Sequence, residues 1–317
     1  DVERSRGLGD VYKRQVNMHW TQKRRAYIRI SEALKECSKS KNGTELDEPA
    51  YVAAIVKEFS CKFEGILRNE FPDENFRVGG CFIHQKPLAE FCDRLLSKKS
   101  PEIGDLLIVY KRIRNSGITY NALLLQAKRL KIGDIYEHKI GQNEQHQLLL
   151  YTKWPKFIYR RAGDRLNGRE RSIIPKTITS GAQYLLIDEN GTSCHPYWDT
   201  MFWCAMPADV LVASKSFALQ LLDFIEFQTG RSFVKDVPKD SWSQMIWDLL
   251  EVSFSSVFNK RKNGYANASR SSDGISEFIR MSKDMLDIVA LDGESGISIL
   301  CIQSKENEEI DLPPQNV

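Results

Sequence analysis

EIGDLLIVYKRIRNSGITYNALLLQAK, residues 102–128, contains two apolar runs separated by the turn-forming RNSG. The first, residues 106–110, is long enough for a buried strand, and Asp105 stands at its mouth behind Gly104. The second, residues 122–125, ends in Gln126, Ala127 and Lys128. Strand side chains alternate between faces, so Gln126 and Lys128 point the same way. If the two strands pair, Asp105, Gln126 and Lys128 converge at one sheet edge. That gives two oxygen donors suited to a hard cation, with an ammonium beside them.

Upstream, residues 19–37 are expected to form a first helix. Val52, Ile55, Val56, Phe59, Phe63, Ile66 and Leu67 fall at helical spacing and define an amphipathic helix that Pro72 closes. Residues 76–85 read as a strand in which Gly79-Gly80 marks a bulge or a close approach. Downstream, residues 143–153 read as a helix and 182–188 as a strand. The expected fold is α/β, a mixed sheet flanked by helices, with its core in residues 18–190. Residues 210–227, 242–258 and 274–288 have helical patterning and 296–303 allows a late strand, so residues 191–317 are expected to be a mainly helical extension packed on the core. Residues 1–17 carry no apolar period and look like translated adaptor sequence; they are expected to be a non-native or disordered leader before Met18.

With 317 residues, 42% of them hydrophobic, the chain can bury a full core. No run approaches the ~18 apolar residues of a membrane helix, and no signal-peptide core is present, so a cytoplasmic location is expected. Seven cysteines, with no CxxC pair and no clustered histidines, argue against a disulfide framework or a zinc site and for reduced, mostly buried thiols. A net charge of +3 is too small to imply a polyanionic partner; its distribution carries more information.

In this order, strand, Asp105, strand, Gln126-Ala127-Lys128 and helix resemble the PD-(D/E)xK nuclease superfamily, which includes many restriction enzymes. The likeness covers residues 50–190. Gly104 stands where the family name has proline, and Gln126 replaces the usual acid, giving a QxK triplet similar to that of Mrr-like restriction nucleases. Gln147 and Tyr151 match the QxxxY pattern of RecB-type nucleases, whose helix borders the active site. The resemblance implies a restriction-endonuclease-like sheet and hydrolysis of DNA phosphodiesters with Mg2+, or with Mn2+ in its place. Asp105 then supplies the obligatory carboxylate, Gln126 an amide oxygen and Ala127 a backbone carbonyl. Lys128 orients the attacking water and stabilises developing charge. Because Gln126 is neutral, a further acid is expected, and the resemblance implies one on the first core helix, where Glu64 is favoured over Glu70.

Several residues keep two readings. His84 and Gln85 either line the cleft or bond within their strand. Gln147 and Tyr151 contact substrate or brace Lys128, or Tyr151 packs in the core. Residues 153–176 hold eight basic residues against two acids, with Trp154, Phe157 and Tyr159 interleaved. This segment either tracks a nucleic-acid backbone through Lys153, Arg160 and Arg161 or is a solvated basic loop. Trp198, Trp203, Trp242 and Trp247 either form an interface for a second copy or a protein partner, or are buried. The leading functional expectation is a DNA nuclease of restriction or other defence against foreign DNA. The alternative is a non-catalytic nucleic-acid-binding protein on a decayed nuclease fold, to which Gln126 points.

Overall fold

The computed structural model describes residues 19–38, 46–83, 87–130, 137–189, 201–235, 241–259, 274–283 and 296–307. The expected leader, His84, Gln85, Trp198 and residues 284–288 lie outside these. In chain order the elements begin with α1 (Trp20–Cys37), α2 (Glu48–Ala54), a π-helical turn (Ile55–Phe59) and α3 (Ser60–Glu70). Next come β1 (Glu74–Cys81), β2 (Leu88–Phe91), β3 (Leu106–Arg114), β4 (Gly117–Arg129), β5 (Glu137–Lys139) and α4 (Gln145–Lys153). They are followed by β6 (Phe157–Arg160), α5 (Gly163–Leu166), β7 (Glu170–Arg171), β8 (Ala182–Ile187), β9 (Phe202–Ala205), β10 (Val210–Val212) and β11 (Lys215–Ser216). The last are α6 (Phe217–Ile225), β12 (Arg231–Phe233), α7 (Ser241–Asn259), α8 (Gly274–Lys283) and β13 (Ser298–Glu306).

Among the described residues, eight strands form one mixed sheet in the order β1-β13-β3-β4-β8-β9-β11, with β12 beside β4. β3 and β4 are the antiparallel hairpin expected from the sequence, with Leu106 opposite Leu125 and Arg114 opposite Gly117. β13 runs parallel to β3, and β8 parallel to β4. β4 is long enough to serve two neighbours on one side: β12 pairs its Tyr120–Ala122 end and β8 its Leu124–Arg129 end.

The expected boundary at residue 190 does not divide a core from an extension. β13 lies between β1 and β3, and β9, β11 and β12 join the same sheet, so the last third of the chain completes the core. The SILCI run of β13 is buried on both faces, the composition of an interior strand with helices on either side. Within residues 210–227, helix begins only at Phe217, where the Ser216 hydroxyl accepts from the Leu219 amide at 3.3 Å as an N-cap. Residues 210–212 are strand instead.

The sheet is covered on both faces. Leu106, Ile108, Leu123, Leu125 and Ala127 pack with α1, α2, α3 and α6. Leu107, Val109, Ala122, Leu124, Tyr184 and Leu186 pack with α4, α7 and α8. This strict period of two explains why the strands read as continuous apolar runs: each residue meets a helix layer on one side or the other. Trp203 and Trp242 are buried in the second layer, and Trp247 packs on Tyr120 and Phe233, so these three serve the interior. The described cysteines form no disulfide; Cys37, Cys81, Cys204 and Cys301 are buried, while Cys61 and Cys92 are exposed. Among the described residues no helix is long and apolar enough to cross a membrane.

The Gly79-Gly80 pair of β1 marks a close approach. A Cβ at Gly80 would collide with the Val56 carbonyl oxygen of the π-helical turn and lie 2.9 Å from its carbonyl carbon, and one at Gly79 would lie 2.9 Å from Ile279 Cα. Helix backbones thus press on β1 from both faces. Because the obstacle at Gly80 is backbone, Gly80→Ala is expected to cost about 3 kcal/mol of unfolding free energy in urea titration, the upper range for overpacking.

Candidate active site

Asp105 lies one residue before β3, and its amide continues the hairpin ladder by donating to the Leu125 carbonyl at 2.8 Å. Its carboxylate then takes over where the ladder runs out: Oδ2 accepts from the Ala127 amide at 2.6 Å and from the Gln126 side-chain amide. Side-chain alternation places Asp105 on the face of Leu107 and Val109, and Gln126 and Lys128 on the face of Leu124, so all three look toward α4. They are 3%, 3% and 8% exposed. The expected convergence is present, at the end of two central strands rather than at an edge of the sheet.

Position 104 requires glycine for a reason of space. A Cβ there would sit 2.7 Å from Leu124 Cδ1 and 3.1 Å from the Tyr151 hydroxyl oxygen. Tyr151 donates that hydroxyl to the Ile103 carbonyl at 2.8 Å, tying α4 to the segment that delivers Asp105. Its ring stacks on Trp154 at 5.7 Å and tilts against Tyr184 at 5.8 Å. Tyr151 is therefore a core residue that positions the site, one of the two roles the sequence left open for it.

The partner of Lys128 is a residue that the sequence reading missed. Glu144, which caps α4, places Oε1 3.0 Å from Lys128 Nζ, while its Oε2 accepts from the Gly141 amide at 3.1 Å and lies 3.6 Å from His138 Nε2. Burial alone would raise the Glu144 carboxyl; the Lys128 hydrogen bond, the Gly141 amide and the Lys128 and His138 charges outweigh it and hold the group below its usual range. A signal was available: Glu144, Gln147 and Tyr151 are spaced i, i+3, i+7, one stripe of one helix. Burial and the Lys99 and Lys128 cations push His146 below its ordinary value, so it is neutral at pH 7.

Gln147 does not brace Lys128. Its Oε1 is buried without a hydrogen-bond donor among the described residues. Tyr184, also missed, stands opposite Gln126 on β8, fully buried, with a hydroxyl that likewise has no partner among the described residues.

The helix acids are not part of this constellation. Glu64 accepts from the Val78 amide at 2.7 Å and lies 3.6 Å from Arg68. Val78 is level with Tyr110 across β13, two strands over and five positions along from Asp105. More decisively, α3 covers the opposite face of the sheet. Glu70 pairs with Arg25 at 2.8 Å and Arg29 at 2.9 Å, joining α3 to α1.

Half of the basic segment is neutralised. Arg160 pairs with Glu90, Lys156 with Glu170 at 2.7 Å, Arg165 with Glu251 at 3.1 Å and Arg171 with Asp248 at 2.6 Å. Trp154, Phe157 and Tyr159 are buried and offer no stacking platform. Lys153, Arg161, Arg169 and Lys176 remain exposed, with no ion pair among the described residues. The strand β6 that carries Arg160 pairs with β2 in a small sheet, and that sheet meets the Asp105 lead-in where the Ile103 amide donates to the Pro87 carbonyl at 2.9 Å.

Comparison with known proteins gives no match: no family profile, no curated protein and no solved structure is recognisably similar to this chain.

Proposed function

We propose that the chain is a Mg2+-dependent phosphodiesterase acting on DNA, built on a restriction-endonuclease-like sheet of the PD-(D/E)xK kind and working in restriction or other defence against foreign DNA. The observation that carries this reading is the meeting of Asp105, Gln126 and Lys128 on one buried face, with Glu144 fixing the lysine ammonium.

The residues fit a hard cation. Asp105 would provide the charged ligand, with the Gln126 amide and the Ala127 carbonyl as neutral oxygens. Among the described residues no three His, Cys, Asp or Glu side chains meet, so such an ion would keep much of its water, as Mg2+ does. Mn2+ suits the same oxygens. The Gln126 amide N–H donates to Asp105, and a half-turn of the amide would present its oxygen to a cation. A bound ion would supply charge neutralisation at the scissile phosphate. Lys128, pinned by Glu144, acts as a placed cation toward developing negative charge. The free cations Lys153, Arg161, Arg169 and Lys176 would take phosphates of the flanking duplex.

One observation favours a second reading, a nucleic-acid-binding protein on a decayed site: both hydrogen bonds at Asp105 Oδ2 are satisfied inside the fold, as in a plain strand cap. Gln126→Glu separates the two. Without metal the variant sets two carboxylates together in a buried site and should melt below wild type. In a working centre the added charge, worth on the order of 1 kcal/mol or more, lowers the Mg2+ needed for half-maximal cleavage by about tenfold, and Mg2+ restores the lost stability. A decayed site shows the loss without the rescue.

Replacing Arg161 and Arg169 with Ala is expected to flatten the salt dependence of duplex binding by up to about 0.9 log unit per lost contact. Arg160→Ala, which removes a side chain already held by Glu90, should leave the slope unchanged in the same fluorescence titration.

A further inference from the structure

Tyr184 shares the inward face of the sheet with Gln126 and Lys128, and its ring packs beneath Tyr151 of α4. Its hydroxyl is a hydrogen-bond donor, within electrostatic reach of the Glu144 and Asp105 carboxylates. Across from it, α4 presents Glu144, Gln147 and Tyr151 along one stripe. Glu144 and Tyr151 are both engaged, whereas Gln147 between them carries a buried acceptor oxygen with no donor among the described residues. A buried donor and a buried acceptor left unpaired are each costly, and one water between them satisfies both.

We propose that Tyr184 Oη and Gln147 Oε1 hold the hydrolytic water of the site, a role that rests on the phosphodiesterase reading above. The water donates to Gln147 and accepts from Tyr184, leaving a lone pair for phosphorus. In the attack its oxygen bonds to phosphorus, the bond to the leaving sugar oxygen breaks, and one proton passes through solvent from the water to that leaving oxygen.

The test is Tyr184→Phe in the full chain. Removing a hydroxyl whose partner is water rather than protein should leave the melting temperature nearly unchanged. Turnover on DNA should fall about 10²-fold, the scale of one lost donor, at unchanged KM and unchanged Mg2+ affinity in calorimetry. Unchanged turnover, or a melting temperature lower by several degrees, overturns the inference, because the hydroxyl would then be idle or already bonded within the fold. A crystal structure of the wild-type chain decides independently of cleavage: an ordered oxygen is expected within hydrogen-bond distance of both Tyr184 Oη and Gln147 Oε1, and its absence overturns the proposal. Failure of the wild-type chain to cleave DNA would defeat the phosphodiesterase reading and leave that water site to be decided by the crystal structure.

Discussion

Asp105→Asn is expected to remove Mg2+-dependent DNA cleavage by about three orders of magnitude, the rate equivalent of roughly 4 kcal/mol of lost charge stabilisation. The asparagine matches aspartate in shape, and its oxygen can still accept from the Ala127 amide, so the end of the hairpin stays paired. What disappears is the negative charge of the Asp105 carboxylate, to which Gln126 and Ala127 donate. Asp105→Ala would add a second effect, since the buried Ala127 amide would lose its acceptor at a cost of about 1–3 kcal/mol. The asparagine variant is thus the cleaner probe: single-turnover cleavage should collapse while the melting curve moves little.

Lys128→Met should lower turnover by about 10³-fold, because it deletes the placed cation while roughly conserving buried volume. It also changes the acid limb of stability. In the wild type the Glu144 carboxyl lies below its ordinary value of 4.5, where burial alone would raise it and the Lys128 hydrogen bond, the Gly141 amide and the Lys128 and His138 charges lower it. A depressed carboxyl stabilises the fold fully above its unfolded value and less as pH falls through its folded one. The variant lacks most of that depression. Its deficit against wild type should therefore be largest above pH 4.5 and narrow below it, which urea titrations at pH 7 and pH 3.5 would read directly.

The central hairpin was legible because both of its faces are buried. Leu106 to Tyr110 and Ala122 to Leu125 appear as unbroken apolar runs, and the period of two then assigns Asp105, Gln126 and Lys128 to one side. Helix placement against the sheet was not legible. The stripe Val52 to Leu67 fixes which side of the helix is buried, but nothing local says which sheet face it meets, and Glu64 belongs to the face away from the site. β13 was visible as a strand while its neighbours were not, since its pairing with β3 spans almost two hundred residues and depends on chain topology. In the basic segment, Phe157 and Tyr159 alternate with outward residues as a strand requires, and that signal was masked by the charges around them. Glu144 was within reach of helical spacing, whereas Tyr184 became visible only when β8 settled beside β4.

Calorimetric titration of Mg2+ into the wild-type chain and into Asp105→Asn, with DNA cleavage followed in the same samples, is the most direct measurement of whether these residues form a metal-dependent phosphodiesterase centre. The expected result is Mg2+ binding and cleavage in the wild type and neither in the variant. Equal Mg2+ affinity in the two proteins, or cleavage that survives the loss of the Asp105 charge, would contradict it.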